Sequence, residues 1–310
     1  MSGGGGFFPS DLKPEEIQKK VEESLDKTKK EEFEVNVANL IRDLLMQYND
    51  RNPRKIQDKL DKIRKIIEKD IEDTIDLKFG GSISKHTYVD GLSDVDTLIL
   101  VNNTELINKT PEQIQDFFLS KLRKELKDIK KVDKSTLAVT VEFKDETVIQ
   151  LLPAIRVGDR VKIASPDGKG WSEINPKGFT DHLTRINKTL GGKAVPAIKI
   201  VKSINAQFSK ARQMTGYHIE SLAIEAFKSY SGEKTPKALI EHFFNKTKDL
   251  VLSPIRDKSR QSLHVDDYLG PKNSDARKSI SHQLDIVHRK IRSANNTNSI
   301  PSWKEILGEL

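Results

Sequence analysis

The sequence predicts an α+β protein: a mixed sheet with flanking helices, followed by a helical lobe, with a cleft between the two. Three observations lead there. Short apolar runs broken by turn residues fill the stretch from residue 74 to 164, as strands do. From Asn175 onward, apolar residues recur at helical spacing in one segment after another. Between these patterns, Asp94 and Asp96 stand at the head of the apolar run Thr97-Leu98-Ile99-Leu100-Val101.

In chain order, residues 1–14 are rich in Gly and Pro and read as a flexible tail, with Phe7 and Phe8 either docking a partner or clamping the protein's own surface. A helix is expected near residues 31–48, where Val37, Leu40, Ile41, Leu44 and Leu45 recur at helical spacing. Asn52-Pro53 ends it and starts a second helix with Ile56, Leu60, Ile63, Ile67 and Ile71 as one stripe, and both helices are expected to pack on the sheet. Strands are expected over 74–79, 95–101, 136–143, 148–152 and 161–164, with a helix over 111–127 crossing between the second and third. The second strand is apolar throughout after Thr97, which makes it central. A hairpin closing around residues 144–147 puts Val141 opposite Gln150 and Glu142 on the other face, with Asp145 and Glu146 at a solvated tip. Helices over 179–190, 195–212, 217–230, 237–251, 275–294 and 303–307 then build the lobe. The expected division is a tail (1–14), a sheet core with the N-terminal helices (15–170) and a helical lobe closing the cleft (171–310).

Composition narrows the class. The 310 residues include no cysteine, so neither a disulfide framework nor a thiolate metal site is expected. No apolar run approaches the roughly eighteen residues of a membrane span, and the N-terminus has no basic flank followed by an apolar core. A cytoplasmic protein with no membrane partner is expected. The net charge of +7 is modest for 53 Lys and Arg against 46 Asp and Glu, and helices such as that holding Lys121-Leu122-Arg123-Lys124-Glu125 account for much of it as solvated faces. Nucleic acid is not expected as a required partner.

The chemistry concentrates in the block GGSISKHTYVDGLSDVDTLILV, residues 80–101. Two carboxylates at i and i+2 on a strand share a face, so Asp94 and Asp96 can hold the same divalent cations. Mg²⁺ takes oxygen ligands and is commonly shared between one or two carboxylates and a substrate's phosphates. The Gly80-Gly81-Ser82 turn lets N–H groups approach anionic oxygens, and Ser82 adds a hydroxyl. A helix opening at residues 82–87 would aim the positive end of its dipole at the same phosphates, with Lys85 and Thr87 beside them. An Asp-x-Asp is common in solvated loops, and a Gly-Gly is more often only a turn; the ordered combination is what favours a phosphoryl-transfer site.

At this block the chain resembles the nucleotidyltransferases related to DNA polymerase β. It is most similar to the branch holding archaeal CCA-adding enzymes, oligoadenylate synthases and cyclic GMP-AMP synthase, and within it to the bacterial anti-phage oligonucleotide cyclases (CD-NTases of CBASS systems). Further matching pieces are Leu151-Leu152-Pro153-Ala154, Ile198-Lys199-Ile200-Val201-Lys202, Gly216-Tyr217-His218-Ile219-Glu220, His264-Val265-Asp266-Asp267-Tyr268-Leu269-Gly270 and Trp303-Lys304-Glu305-Ile306-Leu307-Gly308. The resemblance implies a polymerase β-like nucleotidyltransferase fold with Asp94 and Asp96 as catalytic metal ligands, and Mg²⁺, or Mn²⁺ in its place, as cofactor. Nucleotide contacts are implied for Gly80, Gly81, Ser82, Lys85, Thr87, Gln150, Lys199 and Lys202. ATP and other ribonucleoside triphosphates are the implied substrates, and a cyclic di- or trinucleotide containing adenosine, acting on a downstream effector in antiviral defence, is the implied product. The alternatives are a template-independent transferase acting on tRNA or a protein, and a catalytically weak nucleotide sensor.

One departure bears on that choice. Where the family has a third acidic residue, this chain has Gln150, whose amide oxygen is neutral and is no useful proton acceptor. Either Gln150 is normal to this subgroup and two carboxylates suffice, or the site is dead or altered by engineering; retention of Asp94, Asp96, Ser82 and Lys85 favours the first. Elsewhere, Lys199 and Lys202 read from spacing alone as a pair of surface lysines on one helix face, His218 as a structural histidine at a helix start, and Asp266-Asp267 as a cap or turn beside His264. The seven histidines lack zinc-ligand spacing, so no zinc is expected.

Overall fold

A 36-residue helix, α1 (Pro14–Asn49), leads the chain in the computed structural model, which describes residues 14–49, 53–69, 71, 75–79, 95–158, 160–165, 167–258 and 263–309. The expected tail at residues 1–13 lies outside the described residues. α1 starts well before residue 31 because its charged first half consists of good helix formers with supporting pairs one turn apart, such as Gln18 with Glu22 and Lys27 with Glu31. Val21 and Leu25 there are exposed; burial begins at Phe33 and continues through Val37, Ile41 and Leu44. Contrary to expectation, these residues join the core of the helical lobe, not that of the sheet. An amphipathic stripe specifies that a face is buried, not which partner buries it.

The second helix, α2 (Pro53–Glu68), does pack on the sheet. The sheet holds β1 (Asp76–Phe79), β2 (Val95–Leu100), β3 (Ile129–Lys134), β4 (Val139–Phe143), β5 (Val148–Val157), β6 (Arg160–Ala164) and β7 (Trp171–Ile174), with α3 (Pro111–Glu125) between β2 and β3. Thr110 and Gln113 form a capping box at the start of α3. The order is β1-β2-β5-β4-β3, with β6 and β7 continuing from β5. β2 and β5 are parallel; the other pairs are antiparallel. β2 is therefore central, as expected.

Pro153 sits inside β5 without disrupting it, because one edge of that strand changes partner there: β4 pairs it up to Leu151 and β6 from Ala154. The missing N–H falls at the junction. Two strands were not anticipated. β3, IKKVDK, places only Val132 in the core and so reads as a charged loop, and β7 is short and partly exposed.

Ile56, Leu60, Ile63 and Ile67 of α2, with Ile114, Phe118 and Leu122 of α3, cover one sheet face built from Ile99, Val101, Val139, Val141, Ile149 and Leu151. The β4–β5 tip is tied to this layer. Lys59 of α2 donates to Asp145 and to Thr147 Oγ1 (2.7 Å), and its ammonium stands 4.7 Å from the Phe143 ring centroid. Asp145 is thus more than a solvated turn residue: the hydrogen bond from Lys59 holds its carboxyl down at about 2.

The helical lobe comprises α4 (Pro176–Thr189), α5 (Ala194–Ala206), α6 (Gly216–Phe227), α7 (Pro236–Leu250), α8 (Asp275–Asn296) and α9 (Ile300–Leu307). α5 ends at Ala206, short of the expected residue 212, where Asn205 exchanges side-chain hydrogen bonds with the backbone of Met214 at 2.9 and 3.0 Å and turns the chain. Phe179, Ile198, Val201, Leu222, Phe243, Phe244, Leu284, Ile291 and Trp303 fill the lobe's core together with α1. No helix among the described residues is long and apolar enough to cross a membrane.

Candidate active site

Of the expected site residues, Gly80, Gly81, Ser82, Lys85, Thr87 and Asp94 lie outside the described residues. Asp96 and Gln150 are placed, and the sheet brings them together. They are direct partners across the parallel β2–β5 pair, so their backbones run about 5 Å apart. Alternation along each strand sends Thr97 and Ile149 into the core, leaving Asp96 and Gln150 half-buried on the face opposite α2 and α3. Farther along that face, Leu100, Ala154, Ile163 and Ile174 form a small apolar patch.

The register corrects one expectation. Gln150 faces Thr140, not Val141, and Glu142 pairs with Val148. Glu142 therefore shares the face of Gln150, two pairs nearer the hairpin tip, where it accepts a 2.6 Å hydrogen bond from Lys130. The reason is the turn. Phe143 N–H donates to Thr147 at 2.9 Å, leaving a three-residue loop whose last residue, Glu146, has φ 65°. Three-residue hairpins require a left-handed residue there, usually Gly or Asn, so a glutamate gave no signal for it.

The donor set at this place is oxygen, a carboxylate beside a neutral amide, which suits a hard cation such as Mg²⁺. Gln150 can add a ligating oxygen but no charge.

Lys199 and Lys202 are not surface lysines. Both are 6% exposed, one turn apart on α5. Lysines are almost never this buried unless paired, and Lys202 Nζ meets Glu220 Oε1 of α6 at 2.8 Å, with Glu220 only 1% exposed. The sequence signals for Glu220 were its place in the Gly216-Tyr217-His218-Ile219-Glu220 piece and its position in a mostly apolar helix.

His218 is structural, as expected. It is fully buried, its Nδ1 lies 2.8 Å from the Tyr268 hydroxyl, and Nε2 is 3.6 Å from Asp266 Oδ2. Desolvation pushes its pKa down to about 4. Folded chains therefore bind this proton less readily than unfolded ones between pH 6.5 and 4, so stability falls as the pH drops through that window. About 1–2 kcal/mol should be lost between pH 7 and pH 5. Urea midpoints at the two pH values check this, and the loss should shrink by that amount in His218→Asn; an identical loss in the variant would remove His218 as the cause. Asp266 stands at the N-cap of the 3-10 turn Asp267–Leu269, as expected, but its side chain does not cap that turn; it pairs with Arg277 at 2.6 Å, both side chains fully buried. His264 contacts Asp267 at 3.1 Å, and the described residues hold no cluster of three or more His, Asp or Glu suited to a metal.

No family model matches the sequence, and neither does any curated protein. The fold does match solved structures. The Bradyrhizobium diazoefficiens CD-NTase CdnG in complex with GTP superposes with a TM-score of 0.64 at 13% identity, covering 89% of this chain and 96% of that one. Escherichia coli DncV in its 3′-deoxy GTP bound form gives 0.62 at 13% identity, covering 96% and 90%. E. coli MS115-1 CdnC with ATP gives 0.60 at 14% identity, covering 82% and 91%. At such identities the likeness is one of architecture, and it spans nearly the whole of each relative: this chain has the polymerase β-like nucleotidyltransferase fold in the form carried by bacterial CD-NTases.

Proposed function

We propose that this protein is a divalent-cation-dependent nucleotidyltransferase that joins ribonucleoside triphosphates, adenosine among them, into a cyclic di- or trinucleotide signal in antiviral defence. The observation that carries the reading is Asp96 standing in register with Gln150 on the face of the central parallel strands opposite α2 and α3. Solved structures of the same architecture are complexes with GTP, 3′-deoxy GTP and ATP, and another is named as a cyclic dinucleotide synthase.

Asp94 and Asp96 would hold Mg²⁺ or Mn²⁺, with the Gln150 amide oxygen beside them. Such an ion, when bound, neutralises phosphate charge and lowers the pKa of an attacking hydroxyl. In this reading, the Gly80-Gly81 backbone and the Ser82 hydroxyl hold the β- and γ-phosphates, with Lys85, Thr87, Lys199 and Lys202 around them. A ribose hydroxyl then attacks the α-phosphorus: its oxygen bonds to phosphorus, its proton passes to water, and the α–β bridging P–O bond breaks to release pyrophosphate. Positioning and charge compensation supply most of the rate. Gln150, unable to accept the proton, orients by hydrogen bonding. Residues up to about 170 form the nucleotide-holding core in this scheme, and the helical lobe closes over it.

The test is incubation with all four ribonucleotides and Mg²⁺ or Mn²⁺, followed by mass spectrometry. A small cyclic product with pyrophosphate release is expected. The neutral Gln150 favours one second reading, a nucleotide sensor, which nucleotide binding without pyrophosphate release would select.

Gln150→Asp probes the same place through stability. A second carboxylate directly beside Asp96 should destabilise the metal-free protein by about 1 kcal/mol through like-charge repulsion. Millimolar Mn²⁺ should then raise its melting temperature more than that of the parent. Equal metal responses would place Gln150 outside the cation site.

A further inference from the structure

We propose that Glu220 is the positioning residue for Lys202, holding the lysine ammonium where the triphosphate of a bound nucleotide is received; this rests on the nucleotidyltransferase reading above. The two side chains come from neighbouring helices, α5 and α6, and meet at 2.8 Å in a nearly closed environment. Exposure is uneven: 6% for Lys202 against 1% for Glu220. What exposure the pair retains lies mainly on the lysine.

The geometry around the pair suits a fixed arm. A lysine stem carries about 2 kcal/mol of rotamer entropy, which a carboxylate on a rigid element removes in advance. Glu220 has such support. The first turn of α6 is capped by Thr215, whose side chain accepts from His218 N–H. It is also braced from outside by the Tyr217 hydroxyl donating to Asp257 at 2.6 Å and by the hydrogen bond between His218 and Tyr268. Gly216, which opens the helix, lies against the lysine: a Cβ there would stand 3.4 Å from Lys202 Nζ. An ammonium has three donors, so a bond to Glu220 is compatible with one to a phosphate oxygen. Removing the carboxylate would take away the 2.8 Å partner that holds the buried lysine ammonium in place.

The experiment is a double-mutant cycle on ATP binding by calorimetry and on KM against kcat, using the full chain. Glu220→Asp retracts the carboxylate by one methylene while keeping its charge, and should weaken ATP binding and raise KM by about tenfold, within the coupling range of contacting charged side chains. The loss should fall on KM more than on kcat. In a Lys202→Met background, Glu220→Gln should change ATP affinity less than twofold, because the arm through which Glu220 acts is gone. That double variant should also melt above Lys202→Met alone, because it no longer buries a carboxylate that has lost its lysine. The inference is overturned if Glu220→Asp binds ATP as the parent does, or if Glu220→Gln weakens binding about tenfold in the Lys202→Met background. A parent chain that binds no ATP overturns the functional reading and this inference with it. A parent that binds ATP beside an indistinguishable Glu220→Asp overturns the inference alone.

Discussion

Asp96→Ala is expected to reduce nucleotide polymerisation by about a thousandfold or more, as measured by pyrophosphate release and product mass. A cation clamp on a transferring phosphoryl group supplies several kcal/mol of transition-state stabilisation, and each 1.36 kcal/mol is about a factor of ten in rate. Asp96 is only half-buried, at the head of its strand and on the face opposite α2 and α3. Its removal should therefore leave the melting temperature within about 2–4 °C of the parent, the shift that roughly 1 kcal/mol produces in a domain of this size. Activity within tenfold of the parent would mean that the carboxylate is not at the reacting centre. Loss of activity with a collapsed melting temperature would mean that it is structural.

Arg277→Met should have the largest effect on stability, about 3–5 kcal/mol, the cost of leaving one partner of a buried ion pair behind. Arg277 is fully buried. It bonds Asp266 Oδ2 at 2.6 Å, the carbonyls of Gly270 and Val251 at 3.0 Å each, and those of Ser253 at 3.3 Å and Asp266 at 3.2 Å. Methionine fills some of the space but leaves the Asp266 carboxylate and these carbonyls without the cation. Against a total stability on the order of 5–15 kcal/mol, that is a large share. By contrast, Lys290→Ala, which breaks the pair with Glu305 between side chains 52% and 58% exposed, should cost well under about 1 kcal/mol. Urea unfolding of the two variants side by side measures the difference, and similar midpoints would contradict the argument. The loosening should also be felt locally, because Asp257 and Tyr268, which flank Asp266 in sequence, brace the start of α6.

Much of the architecture was legible because hydrophobic period is a local signal. The stripe Ile56, Leu60, Ile63 and Ile67 marked α2, and the unbroken run after Thr97 marked β2 as central. β3 escaped notice because an edge strand with one buried residue has almost no alternation to read. The hairpin register slipped by one because it turns on the left-handed Glu146, a conformation that this residue type does not advertise. One residue of slip reverses which side chains share a face, and so the sequence reading set Glu142 on the wrong side of the sheet from Gln150.

What the sequence determined by itself was the order and type of the main elements and the clustering of Asp94, Asp96 and the glycine turn in one block, because periodicity and short motifs are properties of neighbours along the chain. What only the tertiary structure decided was the company each residue keeps. α1 lies with the helical lobe, Asp96 faces Gln150, Lys202 meets Glu220 and Arg277 closes on Asp266. These pairings join residues far apart in sequence, and burial of apolar surface, which is non-directional, does not name its partner until the helices and strands have packed.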